Sequence, residues 1–234
     1  MKMIFDMNNN LLDSGMLLKI SKLEYLEDLR RGKIYMNKLE TFRKIEQEGQ
    51  GDNEEGLIGH FPEGTMSIGD TVIADVKNIS LYAFNKNPIF CITAVPLIKT
   101  ASNEYSYKVD RQIFRDFIFD PTSKYGAMII DKHAFAEAFQ TELSKKNIEC
   151  CWDEVTYSDK RPKLKKDELY RVAYHKRLRF SHQHEWRLML FTEVEDHYEL
   201  NIGDISNHSE IIPIDFNSPD MEFKVVLDNV ANQD

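Results

Sequence analysis

The sequence predicts an α+β fold in a single domain, with a mixed or largely antiparallel sheet. The order of the local patterns predicts the class, because helical signals lie in the first and middle parts of the chain and strand signals dominate its last quarter. The size predicts the domain count, since 234 residues with 42% hydrophobic composition suit one core and show no internal repeat. We expect one domain over residues 1–234, with its core motifs between about 17 and 190.

The first predicted element is a short helix that leads into a strand. Ser21 and Glu24 have the spacing of a capping box, in which the serine side chain caps the first turn of the helix. An apolar stripe follows, and Gly32 is a typical helix terminator. The stretch KIYMN, residues 33–37, then has the pattern of a short strand.

The rest of the chain supplies loop, strand and helix signals in turn. Residues 46–70 are polar and rich in Gly, Asp and Glu, which predicts a long surface loop. PIFCITAV, residues 88–95, is a continuous apolar run typical of a buried strand. The remaining predicted elements, in chain order, are a helix over 110–119, a strand over 126–131, a helix from an Asp131 cap to about Lys146, a strand over 154–158, a helical segment over 165–177, and strands at WRLMLF, HYELNI, EIIPIDF and FKVVLDN.

Composition indicates a cytoplasmic protein that does not enter a membrane. No apolar run approaches the roughly 18 residues needed to span a bilayer. The first residues, MKMIFDMNNNLLDSG, lack the basic start, the long apolar stretch and the cleavage site of a signal peptide. The three cysteines, Cys91, Cys150 and Cys151, give an odd count, and neighbouring cysteines rarely pair, so we expect free thiols in a reducing compartment.

Charge is unevenly distributed along the chain. The net charge of −9 argues against general attraction to nucleic acid, but residues 159–187 carry ten Lys or Arg and four acids, a local charge of +6. This segment is either a solvated loop and helix face or a local anion-binding surface. The candidate phosphate-binding residues in it are Lys160, Arg161, Lys163, Arg177 and Arg179.

The stretch RFSHQHEWRLML, residues 179–190, carries the main candidate for chemistry. In a strand that starts near Gln183, alternation places Gln183, Glu185 and Arg187 on one face. The other face, which must be the core side, carries Trp186, Leu188 and Leu190. A carboxylate in this position can accept a sugar hydroxyl and stabilise positive charge at an anomeric carbon. The alternative is an ion pair between Glu185 and Arg187 at a sheet edge.

Metal and thiol chemistry have weaker signals. His182 and His184 have an H-x-H spacing, but no second ligand pair has a recognisable spacing, so no metal site is expected. The acidic cluster Asp52, Glu54 and Glu55 could bind a divalent ion, although a solvated loop explains it more simply. No cysteine has a neighbouring sequence that marks it as activated.

An ordered set of motifs resembles a widespread bacterial family of unknown function. The motifs are RRGKIYMNKLETF, GDNEEG, IFCIT, YGAMIID, VTYS and QHEWRL, within residues 17–190. Three features depart from the family pattern. Asp52 and Glu55 lie well beyond Phe42, where the family has them adjacent; Gln183 replaces the first Glu of the closing Glu-x-Glu-Trp-Arg motif; and the usual Trp–His–Tyr segment has no clear match.

The same outline is similar to the ADP-ribosyltransferase toxins, including those that modify nucleic acids. This resemblance implies an ADP-ribosyltransferase-like split sheet and NAD as a cleaved substrate. It implies that Glu185 is catalytic with Gln183 beside it, that Lys19 or Ser21 lies near the ribose, and that Tyr35 packs on the nicotinamide. The basic residues before the motif would then hold an RNA or DNA acceptor, which is favoured over a protein acceptor.

The expectation is therefore an NAD-dependent mono-ADP-ribosyltransferase of toxin or phage-defence type, with a neutralising antitoxin as a possible partner. Two alternatives stay open. The chain could be a non-enzymatic binding or regulatory module of a defence system, in which the QHEWR motif is only structural, or a metal-dependent nuclease that uses the acidic loop. A transferase needs Glu185 in a cleft that faces the Tyr35 strand, whereas a nuclease needs two or three carboxylates that converge on one point.

Overall fold

The computed structural model describes residues 16–45, 52–68, 71–95, 98–101, 104–117, 122–214 and 222–226. Its fold is α+β, as the sequence predicts, and its sheets are antiparallel except for one parallel pair of two-residue strands, Thr156–Tyr157 with His175–Lys176. The strands are β1 (Met16–Lys22), β2 (Lys33–Lys38), β3 (Leu57–Ile68), β4 (Thr71–Tyr82), β5 (Pro88–Val95), β6 (Ile98–Ala101), β7 (Glu104–Lys108), β8 (Tyr125–Asp131), β9 (Cys150–Glu154), β10 (Thr156–Tyr157), β11 (His175–Lys176), β12 (Glu185–Leu190), β13 (His197–Asn201), β14 (Ser209–Pro213) and β15 (Glu222–Val226). The α-helices are α1 (Leu23–Arg30), α2 (Leu39–Lys44), α3 (Arg111–Phe117) and α4 (Lys132–Lys146), and 3₁₀ segments cover Lys166–Tyr174, Leu178–Gln183 and Ser206–His208.

The main sheet has eight strands, and β5 is its branching point. The strands run in the order β13-β2-β5-β1-β8-β14, and β12 pairs with both β5 and β9. One edge of β5 pairs with β2 only at Pro88 and Ile89, and with β1 only from Thr93 to Val95. The two neighbours therefore diverge around Cys91, and the sheet is split on this side.

Apolar clusters cover both faces of the sheet. The larger cluster packs α1 and α4 against one face through residues such as Leu26, Phe135 and Phe139, with Trp186 and Leu188 from β12. Two smaller apolar clusters include side chains of α3 and of the 3₁₀ segment Lys166–Tyr174, respectively. Since β12 also has a strand on each side, all six of its residues are buried.

Two of the predicted helix boundaries are confirmed. The Asp131 carboxylate caps α4 by accepting a hydrogen bond from the Ala134 N–H at 2.9 Å. Gly32 follows α1 with a φ of +87°, and a Cβ there would lie 2.0 Å from the carbonyl oxygen of Gly203. This close approach and the left-handed backbone both require glycine.

The prediction that Ser21 caps the first helix is wrong. Ser21 is the second-last pair of the β1–β8 ladder, opposite Gly126, and α1 begins two residues later at Leu23. The residue at the cap position is Lys22, whose side chain makes no capping hydrogen bond. Strand pairing holds Ser21 in an extended backbone, so the helix cannot start where the local motif indicates.

The prediction of a surface loop over 46–70 is also wrong for most of its length. Residues 57–68 form β3, which pairs with β4 in a separate two-stranded ribbon, and residues 52–56 form a turn in which Asp52 and Glu55 are buried. Residues 46–51 and 69–70 lie outside the described residues. The ribbon is largely exposed, with Phe61 and Val72 among its exposed apolar side chains, so its polar and glycine-rich composition hid the strands.

No helix within the described part of the chain is long and apolar enough to cross a membrane. The 15 residues of α4 include charged side chains at both ends.

Candidate functional site

The candidate site lies at the start of β12 and is a buried network of charged and amide side chains. The strand begins at Glu185, not at Gln183, because Leu178–Gln183 forms a 3₁₀ segment and His184 turns the chain with a φ of +42°. Glu185 and Arg187 nevertheless share the face that the alternation predicts, and Gln183 reaches the same network from the 3₁₀ segment. All three residues are buried: Glu185 is 6% exposed, Arg187 0% and Gln183 1%.

Glu185 has a cation on each carboxylate oxygen. Its Oε2 accepts a hydrogen bond from the Lys176 ammonium at 2.6 Å, and its Oε1 accepts one from Nε of Arg187 at 2.6 Å. The Glu185 backbone N–H donates to the hydroxyl of Tyr157 at 2.8 Å. The ion pair with Arg187 that the sequence offered as an alternative is therefore present, but it lies inside the sheet and not at an edge.

The acidic turn at residues 52–56 supplies the second carboxylate of the network. Oε1 of Glu55 accepts from Nη2 of Arg187 at 2.9 Å and lies 3.5 Å from the Lys176 ammonium. Asp52 and Glu55 are 1% and 0% exposed, so the expectation of a solvated acidic loop is wrong for these two residues. The reason is electrostatic, because buried cations on β11 and β12 require counter-charges.

Asp52 fixes this turn against the chain that precedes the site. Its Oδ1 forms an ion pair with Nε of Arg177 at 2.7 Å, and its Oδ2 accepts from the Arg177 backbone N–H at 2.9 Å. The Glu54 N–H also donates to Oδ1, at 3.1 Å, which closes the turn on itself.

Gln183 connects the network to α3. Its Oε1 accepts from the Lys176 ammonium at 2.9 Å, and its Nε2 donates to Oδ2 of Asp116 at 2.7 Å. The same Asp116 oxygen lies 2.7 Å from Nε2 of His182. Sequence reasoning missed Asp116 and Glu55 as members of the site, because no local motif links them to β12. It counted Lys176 only as part of a basic segment that was either a solvated face or an anion-binding surface.

The two buried glutamates have opposite protonation tendencies. Burial alone would raise the pKa of Glu185, but Arg187 and Lys176 together hold it well below its ordinary value. Burial raises the pKa of Glu55 despite the same two cations, and its Oε2 has no hydrogen-bond partner among the described residues. Glu185 is thus an ionised acceptor at neutral pH, whereas Glu55 holds a proton more readily.

The residues assigned to NAD by resemblance are spread over the split side of the sheet. The Lys19 ammonium donates to the Cys91 carbonyl oxygen at 2.7 Å. Burial lowers the pKa of Lys19, and the electrostatic attraction of its ammonium to Cys91 and Glu185 opposes this lowering. Ser21 is half-buried on β1. Tyr35 is 53% exposed on β2 and stacks on His197 with 4.5 Å between ring centroids.

The predicted phosphate-binding residues lie in two settings. Lys160, Arg161, Lys163 and Arg179 are exposed. Arg177 is partly buried by its ion pair with Asp52, so only a fraction of its surface faces solvent.

The described residues contain no group of three or more His, Cys, Asp or Glu side chains that could hold a metal ion. Glu55 and Glu185 do converge, as a nuclease would need, but they converge on the cations of Arg187 and Lys176. The thiols are free, and burial raises their pKa, to about 12 for Cys150. Burial likewise raises the pKa of Cys91, and the negative charge of the Glu185 carboxylate raises it further.

A surface cavity of about 630 Å³ lies beyond the other end of β12, and its lining residues come from 84–87 and 191–193. It is separate from the network, because Glu185 starts the strand and Phe191 follows its last residue.

No protein-family model, curated protein or solved structure matches the chain.

Proposed function

We propose that the chain is an NAD-dependent mono-ADP-ribosyltransferase with Glu185 as its catalytic carboxylate and Gln183 beside it. The observation that supports this proposal is the state of Glu185. Two cations hold its carboxylate ionised in a low-dielectric interior, and 6% of its surface still reaches solvent. An ionised acceptor in such an environment is suited to stabilise a cationic transition state.

The chemistry follows from the ionised Glu185 carboxylate. Glu185 would accept a hydrogen bond from the 2′-hydroxyl of the nicotinamide ribose while the bond between C1′ and the nicotinamide nitrogen breaks. The electron pair of that bond leaves with nicotinamide, and the carboxylate stabilises the oxocarbenium character that develops at C1′. A nucleophile of the acceptor then forms the new bond to C1′.

The ion pairs of Glu185 are compatible with this role. A carboxylate offers about four lone-pair sites, so Oε2 can bind the Lys176 ammonium and a substrate hydroxyl at once. Lys176 also orients the Gln183 amide, which keeps both predicted catalytic side chains on one ammonium.

The acceptor in this proposal is RNA or DNA. Exposed cations at Lys160, Arg161 and Lys163 lie just ahead of the site in the chain and can bind phosphates. A toxin or phage-defence role, a neutralising antitoxin and a cytoplasmic location complete the proposal. The placement of Lys19 or Ser21 at the ribose and of Tyr35 at the nicotinamide belongs to the same proposal.

A specific observation favours a second candidate, a non-enzymatic binding or regulatory module. Both oxygens of Glu185 already have cationic partners, and such a saturated network can stabilise the fold without any substrate. The two candidates differ in one respect: only the enzyme consumes NAD.

The test is incubation with labelled NAD and, separately, total cellular RNA, DNA and protein. The wild type, Glu185→Gln and Glu55→Gln are compared, because each variant removes one carboxylate from the same Arg187 guanidinium. We expect label transfer to RNA or DNA by the wild type, transfer within about tenfold by a folded Glu55→Gln variant, and none by Glu185→Gln. Thermal unfolding of each variant separates loss of chemistry from loss of fold.

Transfer that persists in folded Glu185→Gln removes the catalytic role from Glu185. If the wild type neither labels any fraction nor consumes NAD, the binding module is supported instead. In cells, wild-type expression should arrest growth and Glu185→Gln should be tolerated.

A further inference from the structure

A histidine–aspartate pair lies next to the carboxylate network and takes no part in its ion pairs with arginine. His182 and Asp116 are joined at 2.7 Å, and their side chains keep 11% and 13% of their surface exposed. They are more open to solvent than Glu185, whose side chain is 7% exposed.

The hydrogen bonds fix the tautomer of a neutral His182. A carboxylate can only accept, so the imidazole proton must lie on Nε2, the nitrogen that faces Asp116. The lone pair is then on Nδ1, which points away from that bond. A base nitrogen held by a carboxylate on the opposite nitrogen is the arrangement of a general base with its orienting residue.

The same aspartate also fixes the Gln183 amide. Oδ2 of Asp116 accepts from Gln183 Nε2, and Gln183 Oε1 accepts from Lys176, which holds Glu185. One oxygen therefore links the histidine to Gln183 through two hydrogen bonds, and the chain continues through Lys176 to Glu185 with two more. His182 and Gln183 are neighbours in sequence and share this partner, so a group bound beside Gln183 lies beside His182.

We propose that His182 is the general base of the transfer and that Asp116 is its positioning residue. This inference rests on the proposed function. The nucleophile is an amine or hydroxyl group of the RNA or DNA acceptor. The lone pair of this nucleophile forms the bond to C1′, and its proton passes to Nδ1 of His182. The bond between C1′ and nicotinamide breaks, and nicotinamide keeps the electron pair. The histidine ends as an imidazolium, stabilised by the Asp116 carboxylate.

The experiment measures NAD-dependent labelling of the acceptor, and the NAD concentration dependence, for His182→Ala, Asp116→Asn and His184→Asn. His184 is the matched control, because it lies two residues away, is exposed and has a left-handed backbone that asparagine tolerates. We expect kcat to fall about 100-fold or more in His182→Ala with KM for NAD nearly unchanged, and His184→Asn to match the wild type.

Added imidazole should restore part of the activity of His182→Ala, since it supplies the missing base, and should not restore Asp116→Asn. Asparagine keeps the volume of Asp116 but offers an amide in place of one acceptor, so we expect a loss of kcat of roughly tenfold or more. Rescue by imidazole is a result that a purely structural histidine would not give.

Four outcomes overturn the inference. They are unchanged kcat in folded His182→Ala, no rescue by imidazole, a loss confined to KM, or an equal loss in His184→Asn. Absence of NAD turnover in the wild type overturns the proposed function and the inference with it, whereas turnover that is lost only in Glu185→Gln overturns the inference alone.

Discussion

Two parts of one basic stretch have opposite environments. Lys160, Arg161 and Lys163 are exposed to solvent, whereas Lys176 and Arg187 are 3% and 0% exposed. The types of side chain are the same, and what differs is whether the partner is buried. Arg161 lies 3.9 Å from an oxygen of the partly exposed Glu54. Lys176 and Arg187 instead form ion pairs with carboxylates that are themselves buried. Glu55 reaches Arg187 across 132 residues of sequence, and Asp52 reaches Arg177 across 125.

The difference between the two parts shows what allows a charge to be buried. Removing a cation from water carries a desolvation penalty of several kcal/mol per ion, and only well-formed ion pairs and hydrogen bonds offset it. The buried cations have such partners and the exposed ones do not need them. Substitutions should therefore have a large effect on stability at the buried cations and almost none at the exposed ones.

Arg187→Met should be the most damaging change in the network. It leaves Glu185 and Glu55 buried with one cation fewer and removes a donor to the Ala173 carbonyl, so the free energy of unfolding should fall by about 3–5 kcal/mol. Lys163→Met, in the exposed segment, should change it by less than about 0.5 kcal/mol. Urea unfolding measures both, and a loss below about 1 kcal/mol for Arg187→Met would show that the buried ion pairs do not hold the fold.

Asp52→Asn should have an intermediate effect. The buried carboxylate accepts hydrogen bonds from the Arg177 and Glu54 backbone N–H groups and forms an ion pair with the Arg177 guanidinium. Asparagine removes the charge and replaces one acceptor, so about 1–3 kcal/mol of stability should be lost. The control is Asp159→Asn, an exposed aspartate that accepts from the Leu178 N–H at 3.1 Å. Equal losses in the two variants would contradict the role assigned to burial.

The pH dependence of stability should separate the two buried glutamates. The pKa of Glu185 in the folded state lies below its ordinary value near 4.5, so its stabilising contribution is present above that pH and is lost as the pH falls further. Glu55 has a raised pKa, so its contribution decreases as the pH rises above about 4.5.

Urea midpoints between pH 3 and 8, roughly the range where carboxylates and histidines titrate, give the measurement. Glu185→Gln should flatten the loss of stability on the acidic side, and Glu55→Gln should flatten the decline on the other side. The same change of slope in both variants would rule out opposite protonation behaviour.

Neutralising the exposed cations should leave stability nearly unchanged. In the triple variant Lys160→Gln, Arg161→Gln, Lys163→Gln, each substitution should change the free energy of unfolding by less than about 0.5 kcal/mol. Its affinity for single-stranded RNA should fall, with the salt slope reduced by about 0.7 for each phosphate that the variant no longer neutralises. Fluorescence anisotropy at several salt concentrations measures this, and an unchanged slope would exclude this segment as a phosphate-binding surface.

Local sequence signals were sufficient where a single residue or a short continuous segment determines the structure. The apolar run 88–95 is β5, Asp131 caps α4, and Gly32 ends α1 as predicted. The signals failed where a distant segment overrides them: β8 holds Ser21 in a strand, and β4 gives the polar residues 57–68 a pairing partner.

The site shows the same limit. Alternation predicted that Glu185 and Arg187 share a face, but it did not predict that the face is buried. Burial depends on Glu55, Asp52 and Asp116, whose approach is set by the tertiary fold. A carboxylate in a glycine-rich turn looks the same in sequence whether it meets water or a guanidinium.

The split beside β5 has a consequence for association between molecules. A carbonyl group left open at a strand edge is a site where an extended peptide from another molecule can add and begin aggregation. The Lys19 ammonium fills that position at Cys91 with one hydrogen bond, in place of a whole strand. Because this carbonyl oxygen already accepts a hydrogen bond from within the chain, it is not left open to the N–H of an added strand.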